Sequence, residues 1–160
     1  MVKVEGLDKL LAEHPFFDGM NEDMRKTLSG CARNERFGPG EFVAHEGDPA
    51  DRFYFVRAGA IALEFHVPGC NPIVLETLHG GEVFGWSWLV PPYAWTYDIR
   101  VLELTRLISL DGACLRKKLN KDHELGFELY SRFVPVMAKR LSSARLQLSD
   151  MYGRPCKKGE

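Results

Sequence analysis

The chain has 160 residues, enough to bury the core of one domain and too few for two ordinary ones. Its 21 Lys and Arg face 22 Asp and Glu, and a formal charge of −1 supplies no overall field for nucleic acid or an anionic membrane, so DNA binding would need a local basic patch. No apolar run approaches the ~18–20 residues of a spanning helix, and residues 1–14 lack a secretory apolar core, so the expected location is the cytoplasm.

Leu7, Leu10 and Leu11 recur at helical spacing and predict a short first helix that ends before Pro15. Asn21 is the expected N-cap of a second helix, with Glu22 and Asp23 in its first turn and Met24, Leu28 and Cys31 on one apolar face. From Arg36 the period changes to two, and turn residues recur at Pro39-Gly40, Gly47-Asp48-Pro49, Gly59, Pro68-Gly69 and Gly80-Gly81. The runs between them, 41–45, 52–57, 60–66, 72–78, 99–104 and 106–110, read as the short strands of a jelly roll, sandwich or barrel. In 60–66 the alternation sets Ile61, Leu63 and Phe65 toward the core and Ala62, Glu64 and His66 away from it.

Asp111 is the expected cap of a short helix carrying Cys114, Leu115 and Leu119, and Asp122 of a longer one that runs toward Tyr152 and kinks at Pro135 without stopping. Along that helix Met137, Leu141, Ala144, Leu148 and Met151 alternate steps of four and three, the seam of a two-helix coiled coil, and predict a homodimer; packing back onto the β domain is the competing use of the same face. Cys31, Cys70, Cys114 and Cys156 form no Cys-x-x-Cys pair or metal-site spacing, and are expected to be ordinary free thiols. The predicted architecture is mostly β with flanking helices: a domain over 1–152 with helices in 6–32, a β-roll in 33–110 and C-terminal helices in 111–152, then a disordered tail over 153–160.

These elements and motifs resemble the cyclic-nucleotide-binding domain of the catabolite-activator superfamily. Pro39-Gly40-Glu41, then Glu46-Gly47-Asp48-Pro49-Ala50-Asp51, then Phe53-Tyr54-Phe55-Val56 and Gly59 look like the first half of that double-stranded β-helix, and Gly81-Glu82-Val83-Phe84-Gly85 resembles the opening of its phosphate-binding cassette. The resemblance implies a non-enzymatic regulatory domain with a small-molecule ligand held by Gly81, Glu82, Val83, Phe84, Gly85, Trp86, Ser87, Trp88, Trp95, Thr96, Tyr97 and Arg100. In nucleotide-binding members an acidic residue after the Phe-Gly pair holds the ribose and an Arg some ten residues on pairs with the cyclic phosphate. Here those places hold Trp86 and Trp95, which removes a charge-assisted pair and argues against ordinary cyclic AMP binding.

The replacement is aromatic: Phe84, Trp86, Trp88, Tyr93, Trp95 and Tyr97 within fourteen residues. Three uses are open for these rings: a pocket for a flat aromatic molecule, a filled core with a scaffold role, or an anchor for a protein partner. A helix start near Gly85, aided by Ser87 and Thr96, still offers N–H groups to an anion, which keeps a cyclic nucleotide open as ligand. In the activators a DNA-binding domain follows the long helix; this chain ends just after it, so a separate effector protein is the expected partner. A cupin-like metal enzyme is the rival on the same architecture, but His45, beside Glu46, lacks the second His of that motif and His66 and His79 fall on other strands. Neither a Gly-x-Ser-x-Gly elbow nor a phosphate-binding Gly-x4-Gly-Lys loop is present, and His123 between Asp122 and Glu124 reads as a solvated helix start.

Overall fold

The computed structural model describes residues 6–152. α1 (Leu7–Ala12) stops ahead of Pro15, which opens a 3-10 turn over Pro15–Phe17. α2 (Glu22–Ser29) is capped as its sequence implies, the Asn21 side chain accepting from the Asp23 N–H at 2.8 Å. It ends at Ser29, however, and Cys31 lies beyond it, because β1 (Ala32–Phe37) begins four residues before the change of period. Arg33, Asn34, Glu35 and Arg36 give β1 no apolar alternation; its pairing with the last strand of the roll holds it in place.

β2 (Phe42–Ala44), β3 (Arg52–Ala58), β4 (Ala60–Phe65), β5 (Ile73–His79), β6 (Val83–Phe84), β7 (Asp98–Val101) and β8 (Thr105–Asp111) complete two antiparallel four-stranded sheets, ordered β1-β8-β3-β6 and β2-β7-β4-β5. Val56, Ile61, Leu63, Leu78, Ile99, Val101 and Leu107 fill the space between them. Gly59 turns β3 into β4 at φ 97°, where a Cβ would lie 2.4 Å from Thr105 Oγ1 and 2.6 Å from the Leu104 carbonyl, so the tight hairpin has room for no side chain.

Two expectations fail inside this frame. The face of β4 assigned to solvent is buried: Ala62 is 0% and Glu64 2% exposed, and Glu64 is held there by the Arg100 guanidinium, Nε at 2.9 Å and Nη2 at 2.5 Å from Oε1. The cysteines are not all free: Cys31, just after α2, and Cys114, in the first turn of α3 (Gly112–Lys121), form a disulfide across 83 residues, while Cys70 is free and exposed. The sequence spacing of the pair is uninformative because the roll lies between them; the Asp111 N–H donating to the Cys31 carbonyl at 3.0 Å shows how β8 delivers α3 beside α2. Asp111 caps α3, accepting from Cys114 N at 2.8 Å.

The chain falls into two compact units divided after His123. The second consists, over the described residues, of α4 (His123–Tyr152) from Glu124 onward, and the helix continues through Pro135. Leu125, Leu129 and Phe133 are buried, whereas Phe127, Tyr130, Val134, Met137, Leu141 and Leu148 are exposed. The expected tail, and the side chain of Met151, lie outside the described residues.

Candidate functional site

The cassette begins where β5 turns into β6. Gly81 N donates to Val56 O at 2.8 Å and Val56 N to Glu82 O at 2.9 Å, while the Glu82 carboxylate accepts from His79 N at 2.8 Å, so this turn is tied to β3 on one side and to itself on the other. β6 then places Phe84 opposite Tyr54, with the rings stacked at 4.9 Å and 6°. Gly85 follows at φ 91° and opens a single 3-10 turn, Trp86–Leu89.

The facing wall is built by the Gly47-Asp48-Pro49-Ala50 loop. Gly47 N donates to Trp95 O at 2.8 Å, Trp95 N to Asp48 O at 2.9 Å, and Ala50 N to Tyr93 O at 2.8 Å. Held by both backbone groups, Trp95 turns its ring inward to 4% exposure, with ring centroids 6.1 Å from Tyr54 and 6.3 Å from Phe84. A Cβ on Gly85 would sit 2.7 Å from Trp95 Cη2 and 3.1 Å from the Arg52 carbonyl, so the glycine that a phosphate cradle uses for close approach here receives an indole.

The electrostatics agree with that filling. Arg100 is committed to Glu64. Arg52, two residues before Tyr54 on β3, donates to Ser109 Oγ at 3.1 Å and lies 3.8 Å from Glu35. Burial, reinforced by the Glu35 carboxylate, raises the Tyr54 phenol above its usual range and keeps it neutral.

Of the twelve expected ligand residues, the fold brings Phe84, Gly85 and Trp95 together, with Tyr97 half-buried against the same core. Trp86 and Ser87 are half-buried on the 3-10 turn, Thr96 is exposed, and Val83 is buried opposite Phe55. Trp88, 0% exposed, belongs to the contact with α3: its Cβ is 3.4 Å from where a Cβ on Gly112 would stand, and Arg116 lies over it at 5.9 Å and over Tyr93 at 5.8 Å. Arg116 Nη1 also donates to the Trp88 carbonyl at 2.9 Å, while the Trp88 indole N–H has no acceptor among the described residues. Tyr54, Arg52 and Arg116 were not expected at the site. For Tyr54 the signal was present, since β3 is apolar on successive residues and therefore has two faces to bury.

Among the described residues no group of three or more His, Cys, Asp and Glu is placed to hold a metal ion, and no helix is long and apolar enough to cross a membrane. His45 stacks on Phe42 and lies 3.4 Å from Asp98.

Comparison with known proteins fits this geometry. The model of the cyclic nucleotide-binding domain matches residues 34–122, more than half of the chain. The HTH-type transcriptional regulator Cmr of Mycobacterium tuberculosis is 27% identical over 136 residues, 85% of this chain and 54% of that protein. A cAMP-dependent protein kinase regulatory subunit of Hypocrea atroviridis is 31% identical over 34% of this chain and 12% of its own length. The chain thus spans about half or less of these curated relatives. In fold it is similar to a putative cyclic nucleotide-binding protein from Geobacter metallireducens, with TM-score 0.71 and 23% identity over 88% of this chain and 99% of that one. A cyclic nucleotide-binding domain from Methylobacillus flagellatus gives 0.74 and 15% identity over 98% and 85%. The roll, the cassette turn and the family match together make the chain a member of the cyclic nucleotide-binding domain family.

Proposed function

We propose that the chain is a non-enzymatic, ligand-sensing regulatory domain whose cassette has changed from a phosphate cradle into an aromatic one. The observation that carries this reading is the Trp95 ring packed against Gly85, Tyr54 and Phe84, at the position that the family resemblance assigns to the phosphate-binding Arg. A cyclic nucleotide would have to expel that ring and would then meet no uncommitted guanidinium from Arg52 or Arg100. A flat aromatic molecule that replaces the indole between the same walls exchanges one set of ring contacts for another and is the ligand chemistry the cassette fits.

The substitution Trp95→Arg tests this by calorimetric titration. The unmodified chain is expected to give no heat of binding with cyclic AMP or cyclic GMP. The variant buries a cation without a partner, loses stability, and regains it when cyclic AMP supplies the phosphate. Cyclic nucleotide binding by the unmodified chain would restore the family's usual ligand.

The output of the domain runs through α4 to a second copy and from there to a separate effector protein. The exposed residues Phe127, Tyr130, Val134, Met137, Leu141 and Leu148, with Ala144, extend the three-four spacing about one and a half heptads further toward the N-terminus than the seam first read from Met137. An identical helix covers such a stripe in register. Leu141→Glu with Leu148→Glu is expected to turn a dimer into a monomer in sedimentation velocity without lowering the unfolding temperature of the roll; a chain that is monomeric before the substitutions would remove this part of the proposal.

A further inference from the structure

The disulfide borders a mostly apolar depression outside the cassette, lined in part by lysine side chains. Cys31 is 5% exposed, whereas Cys114 is partly accessible and lines a depression of about 410 Å³ together with Asp111, Ala113, Lys117, Lys118 and Lys121. Three lysines thus line the depression beside Cys114 against one carboxylate, that of Asp111, which already accepts the Cys114 N–H. Lys118 also donates to the Thr27 carbonyl and so reaches across to α2, the other side of the disulfide. Spread over one turn of α3, this charge attracts an anion toward Cys114 and repels a cation from it.

Two residues beyond Cys114 on the same helix, Arg116 grips the cassette through the Trp88 carbonyl and the rings of Trp88 and Tyr93. The first turn of α3 is also where Gly112 N donates to Asp51 O at 2.7 Å, so the segment fixed by the disulfide is the segment against which Trp88 packs.

We propose that Cys31–Cys114 is a thiol-exchange site for an anionic low-molecular-weight thiol, guided to Cys114 by Lys117, Lys118 and Lys121, and that α3 transmits its opening to the cassette. The thiolate of the incoming molecule attacks Cys114 Sγ; a new S–S bond forms there, the bond to Cys31 breaks, and Cys31 leaves as a thiolate that takes a proton from solvent. A second thiolate attacking the mixed disulfide at the sulfur of the bound thiol releases the symmetrical oxidised molecule and the Cys114 thiolate. Two electrons then pass from two small thiols to the protein, and no other reductant is needed.

Glutathione, with a net negative charge, and cysteamine, with a positive one, are the probes. Each rate is divided by the rate of the same thiol with a small neutral disulfide, which removes differences in thiolate fraction and nucleophilicity. The protein carries Cys70→Ser and Cys156→Ser, so that only the bonded pair can react. With electrostatic guidance of the usual size, glutathione is expected to be favoured about ten-fold at low salt, with the preference collapsing at high salt. Lys117→Gln with Lys121→Gln leaves the Lys118 bond to α2 in place and is expected to abolish most of the preference. Mass spectrometry after acid trapping is expected to find the adduct on Cys114, and intrinsic Trp emission is expected to shift in step with exchange. The salt dependence of the unsubstituted Lys cluster serves as a test that needs no variant there to fold. Equal or reversed preference, an adduct on Cys31, no exchange at millimolar glutathione, or exchange with unchanged Trp emission would each overturn the proposal.

Discussion

β3 separates two aromatic layers that the same strand feeds from opposite faces. On one side Phe53 and Phe55 meet Phe16, Phe17 and His14 from the N-terminal segment, with Phe17 and Phe55 rings 4.8 Å apart and Phe53 and Phe55 4.5 Å apart. On the other, Tyr54 meets Phe84 and Trp95. The first layer is closed by a helical segment in which both ring nitrogens of His14 are hydrogen-bonded; the second is closed by one side chain delivered from a loop. In the proposed function, equal burial serves two ends, permanent cover in one layer and a removable plug in the other.

Truncation breaks this comparison most strongly. Phe55→Ala removes a ring with 0% exposure and is expected to cost about 3–5 kcal/mol in chemical denaturation. Trp95→Ala is expected to lose about as much, but indole should recover the loss in that variant and not in Phe55→Ala, since only the cassette returns an open, ring-shaped vacancy; at a hundred times its dissociation constant the added molecule contributes ~2.7 kcal/mol. Equal rescue of both variants, or of neither, would erase the distinction between cover and plug.

Particular residues explain how much of this was legible. The glycines and turn dipeptides marked the roll, because Gly59 and Gly85 occupy backbone conformations that other residues enter only with strain. The family resemblance set Trp95 at the expected place of the phosphate-binding Arg. Direction was not legible: Trp86, Trp88 and Trp95 look alike in sequence, and only the tertiary pairing of residues 47–50 with 93–95 turns one of them inward while Trp88 packs against α3. The polar strand β1, the burial of Glu64 and the Cys31–Cys114 pair are likewise products of long-range neighbours, invisible to local periodicity.

A smaller effect separates the two layers by pH. His14 is 3% exposed; its Nε2–H donates to Val56 O at 3.1 Å and its Nδ1 accepts from Phe16 N at 3.2 Å, so the neutral ring is the bonded form. Burial is the main cause that lowers its pKa below 6.5, opposed by the backbone carbonyls and by Asp18. Below that value the unfolded chain takes up a proton that the folded chain refuses, so this contribution is whole above about pH 6.5 and declines as pH falls through the window down to the folded pKa. Denaturation midpoints measured across that range are expected to fall on the acid side in the unmodified chain and to fall less in His14→Gln. An unchanged slope would place the acid sensitivity elsewhere.

The role of Trp95 as the plug of the cassette is tested most directly by thermal unfolding of the unmodified chain with cyclic AMP, cyclic GMP and a series of flat aromatic metabolites, with Trp emission recorded throughout. The expected result is no shift with either nucleotide and a rise of roughly 5–10 °C, accompanied by a change in emission, with an aromatic compound near a hundred times its dissociation constant. A comparable rise with a cyclic nucleotide would mean that the ring yields to a phosphate after all, and that the domain retains the ligand of its family.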